Sequence, residues 1–264
     1  MRVGTFNANG LAGKADPILN FSQHNELDIT VITETWLAPN GNIPILKNII
    51  VNLTNANNEI IQGGRRYTGG VLIFASPAFR NSVRVVFEDP NNNYAILKID
   101  GIFITAGYFA PSEPHQTLLD CIDKSLETAA GADLIVLGDL NARVGAVVGD
   151  HQTNQRGRAL IEHIEEKMLT IIKPHIGTYS VFKHGGGGCG APDIVLSSGL
   201  EPQNFTIHET TVLGGSDHRP ITFRLENNEA QERTFSRWNV RKLGKPHIQA
   251  RYRDILTDGF QEVS

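Results

Sequence analysis

Apolar and polar positions alternate in short blocks along most of this chain, and glycine, proline and Asn/Asp turns separate the blocks. Residues 2–7, 28–33, 70–76, 83–88, 94–99, 102–108 and 133–137 read as strands, being short and apolar on one or both faces, and a short apolar stretch at 49–53 interrupts the polar material after the second. Further strands are predicted around 169–172, 179–183, 193–197, 205–212 and 220–225. The pair Asp100-Gly101, set between two alternating runs, predicts a tight hairpin. Helical spacing is confined to 15–27, 114–130 and 157–168. Asp16 and Ser112 are the candidate N-caps, and Pro17 takes the first helical position of its segment. Leu160, Ile161, Ile164 and Met168 form the apolar face of the third helix. Residues 54–68 are polar and read as a loop. Many strands with few helices between them predict an α+β protein of two packed sheets with helices outside. No repeat of fixed period is visible.

The chain has 264 residues, enough for one large domain. After Glu226 the texture changes: 1–226 is expected to be one globular domain and 227–264 a connector toward a further module. Hydrophobic residues make up 40% and charged residues 20%, which excludes a disordered chain. The net charge of −4 lacks the overall basic balance of many nucleic-acid binders, so any such surface must be local. Cys121 and Cys189 make neither a disulfide framework nor a zinc cluster, and a reducing, intracellular compartment fits them. The sequence opens directly on a strand, with no charged-then-apolar leader before it. No apolar run reaches the roughly 18–20 residues that span a bilayer, so no membrane partner is expected.

Candidate chemistry gathers at strand ends. Gly138-Asp139-Leu140-Asn141 follows a buried apolar run, and its alternation puts Asp139 and Asn141 on one face. Asp139 could hold or polarise a water, and Asn141 could fix that water or a phosphate oxygen. Glu34 ends another strand, in Thr33-Glu34-Thr35-Trp36, and suits Mg²⁺, which takes few carboxylates plus waters and phosphate oxygens. Asn7 could orient Glu34 or touch the metal's shell, and Asn9 could do either or neither. His218, in Ser216-Asp217-His218, is the side chain best matched to proton transfer near neutral pH. Asp193 is its candidate partner, which leaves Asp217 for the metal or the water, although the reverse assignment is open. Tyr108 ends a strand where a phenol could donate to phosphate. Arg65-Arg66-Tyr67 and Lys183-His184 are small basic-aromatic patches of the kind that meets a nucleic-acid backbone. The glycine run 185–188 is no phosphate-binding loop, because no Gly-Lys-Ser/Thr follows it.

Six segments in this order, F-N-A-N-G-L (6–11), T-E-T-W (33–36), G-Y-F-A-P (107–111), G-D-L-N-A (138–142), P-D-I-V (192–195) and S-D-H-R-P (216–220), resemble the endonuclease/exonuclease/phosphatase superfamily. The resemblance covers residues 1 to about 226. It implies a DNase-I-like fold, a four-layered α/β/β/α sandwich with the site at one edge of the two sheets. It places Asn7, Glu34, Tyr108, Asp139, Asn141, Asp193, Asp217 and His218 at the family's catalytic positions. N-x-N-G-L (7–11) and N-Q-R-G-R-A-L (154–160) are most similar to the endonuclease domains of LINE-type, jockey-like non-LTR retrotransposons. G-T-Y-S (177–180) resembles the segment before the DNA-probing hairpin of those nucleases, and it contains Thr178, a candidate substrate contact together with Asn9, Arg65, Lys183 and Ser216. F-S-R-W-N (235–239) resembles the stretch leading into a reverse transcriptase.

What this resemblance implies is a Mg²⁺-dependent endonuclease, with Mn²⁺ as a substitute. It would nick double-stranded DNA to leave a 3′-hydroxyl that primes reverse transcription of element RNA. In a eukaryote it would act in the nucleus. An apurinic/apyrimidinic repair endonuclease or phosphatase of the same fold is the alternative enzyme, and a non-catalytic nucleic-acid-binding module is the alternative of another class.

Overall fold

The computed structural model describes residues 1–38, 50–54, 56–61, 64–183 and 188–226, with the backbone alone at 53, 57–61 and 64–66. The expected connector at 227–264, His184 and most of the glycine run fall outside the described residues. One compact unit extends from Met1 to Glu226.

Its strands are β1 (Arg2–Asn7), β2 (Ile29–Thr33), β3 (Ile50–Leu53), β4 (Asn57–Ile61), β5 (Gly64–Thr68), β6 (Val71–Ala75), β7 (Val83–Glu88) and β8 (Tyr94–Ile99). They continue as β9 (Ile102–Tyr108), β10 (Leu134–Asp139), β11 (Thr170–Ile171), β12 (Val181–Phe182), β13 (Cys189–Gly190), β14 (Asp193–Ser198), β15 (Gln203–Ile207) and β16 (Ile221–Arg224). The α-helices among the described residues are α1 (Ala15–His24), α2 (His115–Ala129) and α3 (Gln155–Glu166).

The strands form two six-stranded sheets, ordered β15-β16-β1-β2-β6-β3 and β11-β14-β10-β9-β8-β7. Each sheet has a parallel pair at its centre, β1 with β2 and β9 with β10, and antiparallel neighbours on both sides. Val3, Val31, Ile73, Leu97, Ile104, Ile135 and Val195 pack between the sheets. Phe6, Ile32 and Leu72 point the other way and bury Ile18 of α1. Val136, Ile96 and Leu196 cover Leu118, Ile122, Leu160 and Ile164 of α2 and α3. The result is the four-layered α/β/β/α sandwich, DNase-I-like in architecture.

Strand parity then decides what faces the seam between the sheets. Residues two apart share a face, so Asn7 follows Val3, Asp139 follows Ile135 and Leu137, Tyr108 follows Ile104 and Ala106, and Asp193 precedes Val195. These polar ends of apolar strands therefore meet at one edge of the sandwich.

Several local expectations are corrected. Residues 54–68 hold the β4–β5 hairpin, in which Asn57 pairs with Thr68, because a two-stranded ribbon pairs through its backbone and needs no apolar face of its own. Asp16 and Ser112 are not caps: α1 is preceded by Lys14 and α2 by Pro114, neither with a side-chain cap. Pro17 lies inside the first turn of α1 rather than at its first position, and the helix ends at His24. Helix α3 starts earlier than predicted because Asn154 Oδ1 accepts the Gly157 N–H at 2.7 Å. Met168, expected on the buried face, lies past the helix end with a φ of 58° and is 58% exposed. The hairpin at Asp100-Gly101 forms as predicted, with φ of 46° and 86°.

Candidate active site

Two loops carry the ends of the central strands. After β1 and β2 the parallel ladder continues, with Ala8 N–H donating to Thr33 O and Gly10 N–H to Glu34 O. This extension forces Asn9, Glu34 and Trp36 into left-handed backbone, at φ of 46°, 51° and 55°. Asn tolerates that region; Glu and Trp occupy it only when the surroundings hold them there. A Cβ on Gly10 would lie 2.6 Å from the Trp36 ring, so only glycine lets the indole close over this turn.

In the other sheet, Gly138 has a φ of 135°, and a Cβ there would lie 2.0 Å from Gly107 O. That close approach brings Tyr108 and Asp139 side by side in the β9–β10 register. Asn141 follows at a φ of 49°. Its amide donates to Phe109 O at 3.1 Å, and its own N–H donates to Asp139 Oδ1 at 3.0 Å.

The two edges are stitched together. Asn7 Nδ2 donates to Asp139 Oδ2 at 2.8 Å, and Asn7 Oδ1 accepts the Asn9 N–H at 2.8 Å. Asn9 Nδ2 lies 3.3 Å from Asp217 Oδ1. Ser216 Oγ donates to Asn7 O at 2.8 Å, fixing the loop that bears Asp217 and His218 against β1. His218 Nδ1 is 2.9 Å from Asp193 Oδ2, and Nε2 is 3.9 Å from Asp139 Oδ2. Asp193, rather than Asp217, is therefore the aspartate at hydrogen-bond distance from the imidazole. The Tyr108 hydroxyl donates to Glu34 Oε1. Asp139, Asp193 and His218 offer ligand atoms all within 4.8 Å of one another.

This crowding sets the electrostatics. Asp139 is raised above the usual carboxylate range, first by burial and then by the Asp193 charge; His218 and the Asn7 amide pull the other way. Burial alone would lower His218, but the Asp193 carboxylate outweighs it by charge and hydrogen bond, and the imidazole is pushed up to about 10. Burial and the neighbouring Glu34 raise the Tyr108 phenol, so it stays a donor.

The structure thus brings together Asn7, Asn9, Glu34, Tyr108, Asp139, Asn141, Asp193, Ser216, Asp217 and His218. It does not bring in the remaining candidates. The Thr178 N–H donates to Glu209 Oε1 at 2.7 Å instead, and Lys183 is exposed at the mouth of the β12–β13 hairpin. Arg65 lies on β5 opposite Ile60, with its side chain outside the described residues.

Three supporting residues escaped the sequence reading. Buried Ser180 donates to Asp193 Oδ2 at 2.6 Å. Lys14 Nζ donates to Ala8 O at 2.6 Å and Asn9 O at 2.9 Å. Arg156, only 6% exposed, donates to Phe109 O, Leu140 O, Ala110 O and Glu113 O. For Arg156 the signal was its place inside N-Q-R-G-R, two residues after the cap of α3; Ser180 closes the G-T-Y-S segment, with nothing there pointing to Asp193, and nothing marked Lys14.

Residues 102–222, from β9 to β16, match the family described as endonuclease-reverse transcriptase. A Drosophila melanogaster protein described as a probable RNA-directed DNA polymerase from transposon BS is 25% identical over 239 residues. That alignment covers 86% of this chain and 24% of the relative, so the chain spans about a quarter of the protein it matches. Among solved structures, the endonuclease domain of TRAS1, a telomere-specific non-LTR retrotransposon, aligns with a TM-score of 0.60 at 19% identity, covering 86% of this chain and 99% of that one. A 3′–5′ exonuclease (NExo) from Neisseria meningitidis aligns with a TM-score of 0.59 at 18% identity, covering 86% and 100%. Residues 102–222 thus match the endonuclease-reverse transcriptase family, and Met1–Glu226 has the fold of these two nucleases. No helix among the described residues is long and apolar enough to cross a membrane.

Proposed function

We propose that this domain is a divalent-metal-dependent endonuclease that nicks double-stranded DNA by hydrolysing one phosphodiester. The observation that carries the reading is the contact of His218, Asp193 and Asp139 at the edge where both sheets end.

Glu34, Asp217 and the Asn7 amide oxygen are hard oxygen donors, with no thiolate among them. In this cluster the carboxylates Glu34, Asp139, Asp193 and Asp217 outnumber the cations His218 and Lys14. Such a set fits Mg²⁺, or Mn²⁺ in its place. Glu34, Asn7 and Asp217 would hold the ion, which supplies Lewis-acid charge to a phosphate oxygen and steadies the leaving oxygen.

The protein's own groups divide the proton work. Asp139, with its carboxyl raised, accepts the proton of the attacking water while its Oδ1 stays tied to the Asn141 N–H. His218, held as imidazolium at neutral pH, faces the charge that builds on phosphate. Two titratable groups whose environments push them apart in this way read as a base and a cationic stabiliser. Tyr108 keeps its proton and donates it toward oxygen, to Glu34 here and to a phosphate oxygen in the complex. Asn141 is already committed to Phe109 O, so its contribution is to hold the turn under Asp139 before it reaches any phosphate.

Hydrolysis of this kind leaves a 3′-hydroxyl and a 5′-phosphate. In a retrotransposon that 3′-hydroxyl primes reverse transcription of element RNA by a polymerase module. The fit is to the polymerase relative, of which this chain matches about a quarter. Asp139→Ala and His218→Ala should remain folded and lose nicking by about 10²–10⁴-fold each. Retained nicking in either folded variant would refute the assignment. End-labelled linear DNA run beside plasmid separates a nick from exonucleolytic trimming, the activity named for the Neisseria neighbour.

A further inference from the structure

We propose that Lys14 is a positioning residue of this site: a fixed cation that pins the left-handed Asn9 turn against Asp217 and offsets the carboxylates on which a divalent ion would sit. The inference rests on the placement of that ion at Glu34, Asn7 and Asp217.

Lys14 is the residue immediately before α1, and its side chain runs back over the loop that precedes it. The ammonium donates to two successive carbonyls, Ala8 O at 2.6 Å and Asn9 O at 2.9 Å. Those carbonyls flank the residue whose φ is 46°, and that residue's amide reaches Asp217 Oδ1 at 3.3 Å. A lysine spends two strong, charge-assisted bonds on one turn here, and that turn aims the Asn9 amide at Asp217.

The stem also runs close against a second loop. Gly214, at a φ of 58°, lies against it, and a Cβ there would be 2.5 Å from Lys14 Cγ. Gly214 opens the segment that continues through Ser216 to Asp217 and His218. Lys14 therefore bridges the β1–α1 loop and the loop that bears the Asp217 carboxylate. The group is partly buried, which lowers its pKa, while the charges of Asp217 and then Glu34 oppose that shift. The same two carboxylates are the ones assigned to the metal. The other charged groups at this edge, Asp139, Asp193 and His218, are already joined to one another.

Two effects follow and they have opposite signs. Removing the cation leaves Glu34 and Asp217 less compensated, so a divalent ion binds more tightly. Removing the two carbonyl bonds releases the Asn9 turn, so the tighter complex turns over more slowly. A residue that merely stabilised the fold would weaken both together.

The test compares the full chain with K14M and K14R. Mg²⁺ binding is measured by calorimetry, the Asn9 and Gly10 amides by hydrogen exchange without metal, and nicking at saturating Mg²⁺. For K14M the expectation is a Mg²⁺ dissociation constant about tenfold lower, the size of one like charge removed at partly screened range. Exchange at Asn9 and Gly10 should rise and nicking should fall at least tenfold. K14R, which keeps the charge on a different head group, should keep the wild-type dissociation constant and still exchange faster. An unchanged dissociation constant in folded K14M, or unchanged exchange at Asn9, overturns the proposal. If K14M does not fold, K14R decides, and a tighter Mg²⁺ constant in it contradicts the charge argument. If the wild type itself binds no Mg²⁺ and nicks nothing, the functional reading fails, while the metal-free exchange data still decide whether Lys14 holds the turn.

Discussion

Asn7 Nδ2 lies 2.8 Å from Asp139 Oδ2, and this one bond joins the last residue of β1 to the last residue of β10. Both strands belong to the parallel pair at the centre of their own sheet. The bond therefore crosses the seam of the sandwich where both ladders end. It also orients the carboxylate, leaving Oδ1 for the Asn141 N–H. Asn7→Ala should cost roughly 1–3 kcal/mol, because a buried carboxylate oxygen loses a donor. The same change should slow nicking about 10²-fold. Chemical denaturation and initial rates measure the two, and a stable, fully active variant would show that the seam bond is incidental.

His218 gives the metal-free protein a pH signature. Its pKa in the fold is about 10, above the ordinary value of 6.5. A group raised on folding stabilises the fold fully below its unfolded pKa and loses that contribution as pH climbs toward the folded value. The melting temperature should accordingly decline between about pH 6.5 and 10. In His218→Gln this decline should flatten. An equal slope in the variant would place the titration elsewhere.

Arg156 holds the loop under the site through four carbonyls at once. One of these, Phe109 O, is also the acceptor for Asn141. Arg156→Lys removes the fork geometry and should cost about 2 kcal/mol or more, since buried carbonyls are left unpaired. Nicking should fall with it, because Asn141 loses the anchor it shares. Thermal melting and nicking of the same preparation check both statements.

How much of this was legible in the sequence follows from what each signal depends on. The strands around the site were, because a buried strand is an apolar run whatever it packs against: Leu134–Leu137 is wholly apolar, and Ile102–Ala106 is broken only by Thr105. Apart from the Asp193–His218 pair, the partners of the site residues were not, because they depend on seams the sequence does not encode locally. Nothing near Ser180 says that it will donate to Asp193, thirteen residues on. Likewise Asn141 looked like a phosphate contact by parity, but its φ of 49° turns the amide to Phe109 O. The missed β4–β5 hairpin is two-stranded and polar, so no core demanded its pattern.

Gly138 tests whether close approach of the central strands sets the site. With a φ of 135° and Gly107 O only 2.0 Å from a built Cβ, alanine cannot fit without parting β9 from β10. Gly138→Ala should lower the melting temperature by many degrees, and any folded fraction should nick poorly. Gly13→Ala, at a positive φ but with open space around it, should be far milder by circular dichroism. Equal losses in the two would mean that backbone conformation, and not the strand contact, is responsible.

The central claim is metal-dependent nicking, and supercoiled plasmid reads it most directly. Wild-type protein is incubated with plasmid and Mg²⁺, beside an EDTA control and the Glu34→Ala protein. Conversion to open circles with Mg²⁺, lost in EDTA and in the variant, is the predicted result. A well-folded wild type that leaves the plasmid supercoiled, or a Glu34→Ala protein that nicks as fast, would contradict it.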